Sequence, residues 1–324
     1  MAEPGGGADQ AADLALRLID VRKEFTGHVA VAGLSLEVPR GSVFGLLGPN
    51  GAGKTTTLRM VMNVLVPDAG RIEILGRPAG QAERDRIGYM PEERGLYPRM
   101  TVDEQLLFMA EIKGASRRES AARLGPWLER LGLEEWRKRK LNELSKGMQQ
   151  KAQLVATLLH DPEVLILDEP MSGLDPVGTD LVRGLLLDLA RQGKTIVLSS
   201  HQMETVERLC ESIALIHRGR LVLAGRVSEV KARAGRNTVA LAFDGGDGSF
   251  LSGLPGVRAL SDHGRYVELR LDPGADTQAL LHAAAARLRL RRFEIVEPSL
   301  HDIFVERVGS AGDEAPGAAA GATV

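Results

Sequence analysis

The chain of 324 residues is 44% hydrophobic and 26% charged, an ordinary globular balance with room for more than one domain. A formal net charge of −2 gives no electrostatic case for a nucleic-acid or anionic-membrane partner. A single cysteine, Cys210, excludes an internal disulfide and a cysteine-cluster metal site, and the histidines are scattered without metal-ligand spacing.

Residues 1–13 are acidic and glycine-rich and lack the basic start and apolar stretch of a signal peptide. They read as a disordered tail, as do residues 310–324 at the other end. No apolar run approaches the ~18 residues of a membrane-crossing helix, so a partner would have to supply any spanning part. Over residues 14–234 strand-like apolar runs alternate with helical patterns. Leu34, Leu36 and Val38 alternate with Ser35 and Glu37, as in a half-buried antiparallel strand. Ser42–Leu47, Val164–Asp168 and Thr195–Ser199 are nearly all apolar and rich in branched side chains, which predicts central parallel strands. A strand-like Ile87–Met90 runs into Pro91, Glu92, Glu93 and Arg94. The basic run Arg137–Lys140 within Leu131–Asn142 predicts a solvated helix face. The expected class is α/β.

Residues 235–309 have a different texture, that of a small α+β domain. Thr238–Phe243 and Tyr266–Leu271 alternate as strands, Asp276–Leu288 is helical, and a strand near Phe293–Val296 precedes a short helix near Leu300–Val308. Arg287, Arg289 and Arg291 alternate with leucines, which suggests the polar side of a strand.

Gly48–Thr55 reads GPNGAGKT and fits G-x-x-x-x-G-K-[ST]. It follows a buried strand and opens the helix predicted over Lys54–Asn63, the context that a phosphate-binding loop requires. Its glycines let several backbone N–H groups converge on phosphate oxygens, and the helix N-terminus adds partial positive charge. Lys54 would reach the β- and γ-phosphates, and the Thr55 hydroxyl would ligate Mg²⁺. Val164–Pro170 reads VLILDEP, an apolar strand ending in two carboxylates. Asp168 suits Mg²⁺ held through water, which leaves Glu169 as general base for the attacking water.

Three further motifs follow in order: LSKGMQQK at Leu144–Lys151, SGLD at Ser172–Asp175 and SSHQ at Ser199–Gln202. With GPNGAGKTT they resemble the ATP-binding subunit of ABC transporters, over about residues 14–234. EPSLHDIFVERV at Glu297–Val308 resembles the extension on bacterial exporter subunits of the sodium-efflux and drug-resistance kind. The resemblance implies a phosphate-loop ATPase domain with a mixed sheet core, an antiparallel β subdomain and a helical subdomain, followed by a small α+β domain. It implies that Phe25 stacks on adenine, and that Asn50, Gly51, Ala52, Gly53, Lys54, Thr55 and Thr56 bind phosphates and metal. Asp168 would hold Mg²⁺, Glu169 would be the base, and His201 would contact the γ-phosphate. Ser145, Gly147 and Met148 occupy the signature that closes on the ATP of an opposite subunit, with Lys146 replacing one glycine and Met148 the glutamine. Asp175 matches the loop that communicates between sites. Glu92 takes the place of a glutamine that meets Mg²⁺ and water, and is expected to bind metal more strongly. Glu93 and Arg94 fall on the partner-facing loop.

These implications amount to an ATPase that uses ATP and Mg²⁺, dimerises with a second ATP-binding subunit and drives a separate membrane permease. It would sit peripherally at the cytoplasmic face of the membrane, export its cargo and bind no nucleic acid. The alternative is an ABC-type ATPase acting on ribosomes or DNA. Repair-type members carry a long coiled coil between the phosphate loop and the signature, and 54–145 has no sustained heptads. Ribosomal members usually carry two ATPase units, and this chain has one phosphate loop.

Overall fold

Strand alternation dictates the first layer of the structure, a computed structural model that describes residues 13–93, 95–234, 238–272 and 274–311. The two tails expected at the ends lie almost wholly outside the described residues, and Arg94 lies outside them too. β1 (Leu14–Phe25) and β2 (His28–Pro39) pair antiparallel. As predicted, Leu34, Leu36 and Val38 are buried while Ser35 and Glu37 are exposed. β3 (Val43–Leu47) is buried throughout and leads through the phosphate loop into α1 (Lys54–Val61). That helix stops just short of the predicted end, because Asn63 takes a left-handed conformation at φ 58°. β4 (Ala69–Ile74) and β5 (Arg77–Pro78) complete an antiparallel sheet of order β2-β1-β4-β5.

The chain then builds a second sheet. α2 (Gln81–Asp85) precedes β6 (Ile87–Met90). Next come α3 (Val102–Ile112), α4 (Arg117–Arg130) and α5 (Lys146–Leu158), which pack on one another as a helical subdomain. β7 (Val164–Asp168), α6 (Pro176–Arg191), β8 (Thr195–Ser200), α7 (Met203–Leu209), β9 (Ser212–His217) and β10 (Arg220–Arg226) follow. The order is β10-β9-β3-β8-β7-β6, with β9, β3, β8, β7 and β6 mutually parallel. β10 returns from β9 through Arg218 and Gly219, both at positive φ (48° and 74°), as tight hairpin turns require. β3, β7 and β8 are buried on both faces, as their composition predicted. One apolar cluster joins Leu18 and Leu34 of the first sheet, Leu58 and Met60 of α1, and Leu46 and Ile166 of the second. Burial pushes the Cys210 thiol pKa far up, which suits a packing residue and not a nucleophile.

The basic run does not form a solvated helix face. A 3-10 turn at Glu134–Trp136 ends before it, and the run folds back over the start of α3. The Arg139 and Arg137 carbonyls accept the Val102 and Asp103 N–H groups, two donors left over at a helix start. Asp103, 8% exposed, receives Arg137 Nε at 3.1 Å and Lys138 Nζ at 3.0 Å. The bonds of Arg137 to Glu134 (2.9 Å) and Asp103 raise its pKa. Charge complementarity across thirty-odd residues, invisible to a local window, decides the outcome. Asp103→Ala is expected to destabilise the domain by about 1–3 kcal/mol, the cost of lost charged hydrogen bonds, with the exposed Lys138 contributing little. Urea unfolding with an unchanged midpoint would refute this.

The chain divides between Gly225 and Arg226, earlier than the expected boundary at 234. α8 (Val227–Ala234) belongs with the second unit because it packs against that unit's last helix. There β11 (Thr238–Asp244), β12 (Val257–Asp262), β13 (Val267–Leu271) and β14 (Arg289–Val296) form an antiparallel sheet of order β12-β13-β11-β14. α9 (Thr277–Ala285) buries Leu280 and Ala284 against Val239, Leu241 and Leu269. α10 (Leu300–Ala311) ends the description and runs past the predicted end at Val308. Arg289 and Arg291 are exposed on β14 as expected. Arg287 precedes the strand and lies over the Phe250 ring, 4.9 Å from its centroid.

Candidate nucleotide-binding and hydrolysis site

The phosphate loop lies between β3 and α1. Gly53 sits at φ 107°, and a Cβ there would come within 2.5 Å of the Ala30 carbonyl oxygen, so no other residue fits. Gly53 is also the N-cap of α1 and offers no capping side chain, and the first turn holds no acid. The helices α3 to α6 are capped by Thr101, Ser116, Ser145 and Asp175. The leading N–H groups of α1 therefore keep their positive end for an external anion.

Lys54 lies back along this loop, its ammonium donating to the carbonyls of Gly48 (2.7 Å) and Pro49 (3.1 Å). Burial lowers its pKa, and the nearby carboxylates of Glu169, Asp168 and Glu92 oppose that shift. A cleft of about 410 Å³ opens over the loop, lined by Phe25, Lys54, Thr55, Glu92 and Glu169 among others. Asn50, Gly51, Ala52, Gly53 and Thr56 complete the loop side. Phe25 is 44% exposed at the mouth, so it is not a core residue. His28, across the β1–β2 turn, also lines the cleft and carried no signal in the sequence.

Strand register assembles the acidic end. Parallel pairing sets Asp168 opposite Ser199. The Ser199 hydroxyl donates to one Asp168 oxygen and accepts the Glu169 N–H at 3.0 Å. Asp168 is wholly buried, and its second oxygen, Oδ2, has no partner among the described residues. A buried carboxylate oxygen without a donor is costly unless a cation or bound water meets it. Glu169 adopts φ 50°, a left-handed conformation rare for such a residue, and its Oε1 lies 2.8 Å from His201 Nδ1. The structure thus gathers Glu92, Asp168, Glu169 and His201 near Lys54 and Thr55. Ser199 opens the SSHQ motif, but its hold on Asp168 and on the Glu169 N–H depends on strand register and carried no signal in the sequence.

The signature residues lie apart from this cleft. Ser145 caps α5 by accepting the Met148 N–H at 3.2 Å. A Cβ on Gly147 would stand 3.2 Å from the Gly173 carbonyl, so this glycine brings α5 close to the SGLD segment. Asp175 caps α6 by accepting the Gly178 N–H at 2.6 Å.

Residues 31–172 match the family described as ABC transporter, and residues 225–308 match the "ATP-binding protein DrrA1-3-like, C-terminal domain". The uncharacterized ABC transporter ATP-binding protein YhaQ of Bacillus subtilis is 43% identical over 295 residues, covering 91% of this chain and 99% of that one. The chain belongs to the ABC transporter ATP-binding proteins. The linearmycin resistance ATP-binding protein LnrL of Bacillus subtilis is 32% identical, covering 91% of this chain and 98% of its own. A solved ATP-binding subunit of an ABC transporter superposes with a TM-score of 0.64 at 32% identity, covering 68% of this chain and 93% of that one. As a member of this family the chain binds ATP and hydrolyses it to power transport. No helix among the described residues is long and apolar enough to cross a membrane.

Proposed function

We propose that this ABC subunit works as a dimer on the cytoplasmic face of the membrane, driving a separate permease that exports its substrate. The observation that carries the hydrolytic reading is the partnerless Asp168 Oδ2, buried beside Lys54 and next to a Glu169 already bonded to His201. That oxygen, the Thr55 hydroxyl and Glu92 form a hard oxygen donor set of the kind Mg²⁺ takes when phosphate and water supply the rest. Mg²⁺, when bound, neutralises charge on the phosphates. Lys54 and the α1 N-terminus hold the phosphate oxygens, and Phe25 stacks on the adenine ring. Glu169 takes the proton of the attacking water, and His201 orients the Glu169 carboxylate and meets the γ-phosphate. Ser145, Gly147 and Met148, outside their own cleft, serve the ATP of the second subunit. ATP then bridges the pair, and its hydrolysis releases it. The match of residues 225–308 to the DrrA1-3-like C-terminal domain and the linearmycin-resistance relative support the reading as an exporter.

Tyr97 and Ile112, 54% and 62% exposed, are large apolar side chains on the helical subdomain and are assigned to the permease contact. Purification of the full chain from detergent extract is expected to bring down a membrane protein, and Tyr97→Ser to weaken that recovery. Recovery of ribosomes or DNA instead would support the alternative class.

Glu92 carries a full charge where the family has a glutamine. Glu92→Gln is expected to raise the Mg²⁺ concentration for half-maximal turnover by roughly threefold to tenfold, the loss of about one charge–metal contact. An unchanged Mg²⁺ titration would remove Glu92 from the metal site.

A further inference from the structure

Gln150 is 3% exposed, yet it does not line the nucleotide cleft. A carboxamide buried this deeply is costly unless its polar atoms are bonded. Its amide nitrogen donates to two consecutive carbonyls, those of Glu169 (3.2 Å) and Pro170 (3.2 Å). One residue thus grips the peptide link on the far side of Glu169, while Ser199 accepts the Glu169 N–H on the near side. Between these two holds the Glu169 backbone stays at φ 50°, a conformation that generally costs a non-glycine residue about 1 kcal/mol or more. The direction in which the Glu169 side chain leaves the strand follows from that backbone.

α5 is itself fixed. Gln153, one turn on and 5% exposed, donates to the Pro91 carbonyl at 2.7 Å, immediately before Glu92. An apolar side chain would fill the space at either position. What the carboxamide adds is a directed donor.

We propose that Gln150 is a positioning residue for ATP hydrolysis, holding the Glu169 peptide in its left-handed conformation so that the carboxylate meets the attacking water. This rests on the assignment of Glu169 as the base. It also ties the base to α5, whose N-cap is the signature Ser145.

The test compares Gln150→Leu and Gln150→Glu in the full chain, with Glu169→Gln as reference. Turnover by Gln150→Leu is expected to fall roughly 10-fold to 100-fold, as misplacement of a reacting group by about 1 Å commonly does. Equilibrium binding of Mg²⁺-ATP is expected to stay within about threefold, since only a step after binding is affected. Gln150→Glu can donate only when protonated, and burial among carbonyls raises the pKa of a carboxyl. Its turnover relative to the unmodified chain should therefore climb as pH falls, a dependence that loss of packing alone would not produce. Unaltered turnover in Gln150→Leu overturns the proposal, as does a Gln150→Glu profile parallel to that of the unmodified chain. Should Gln150→Leu fail to fold, the Gln150→Glu profile decides. If Glu169→Gln itself turns over normally, the assignment of the base fails and this inference with it. If Glu169→Gln is inactive and the Gln150 variants are normal, this inference alone fails.

Discussion

Glu169→Gln is expected to lower ATP turnover by about 10²- to 10⁴-fold, the usual contribution of a general base. The substitution is almost isosteric and leaves the Ser199 and Gln150 contacts intact, because both engage the Glu169 backbone and not its side chain. What disappears is the proton acceptor, so ATP should still bind. Removing a negative charge from the cleft further favours the polyphosphate. The variant should therefore accumulate an ATP-bound dimer. Turnover assays and size exclusion with and without ATP would check this, and normal turnover would sink the catalytic assignment.

Lys54→Ala should act earlier, on binding. Lys54 donates to the Gly48 and Pro49 carbonyls, and Gly48 is buried. Truncation leaves a buried acceptor unpaired, a cost of about 1–3 kcal/mol to the fold. It also removes the ammonium that lies along the loop proposed to hold the phosphates. A hydrogen bond from a charged donor is worth about 1.5–3 kcal/mol, so ATP affinity should drop roughly 10-fold to 100-fold. Titration with a fluorescent ATP analogue measures the second effect and thermal denaturation the first. Unchanged affinity would remove Lys54 from phosphate binding.

Much of this arrangement was legible because the chemistry uses short, contiguous segments. The phosphate loop is a stretch of adjacent backbone, so one motif between strand and helix placed Asn50 to Thr56. The buried parallel strands announced themselves as unbroken apolar runs, since helices and sheet cover both faces. Contacts between distant segments were not legible. Ser199 matters through pairing with Asp168, and Gln150 through carbonyls of another strand end. Arg137 and Lys138 looked like solvated charge until Asp103 was found beneath them. β12 went unread because its residues alternate in neither burial nor type, most being exposed.

The pairing of Asp168 with Ser199 makes the reactive geometry a matter of counting. β8 is reached from α6 through Gln192, Gly193 and Lys194. Substitutions there leave the count intact. An inserted or deleted residue that slipped β8 by one place would turn each of its side chains to the opposite face and set a different residue against Asp168. Because β8 also pairs with β3, which leads into the phosphate loop, such a slip would disturb both neighbours at once. Spacing in that short connection, far from ATP along the chain, is therefore under tighter constraint than its composition.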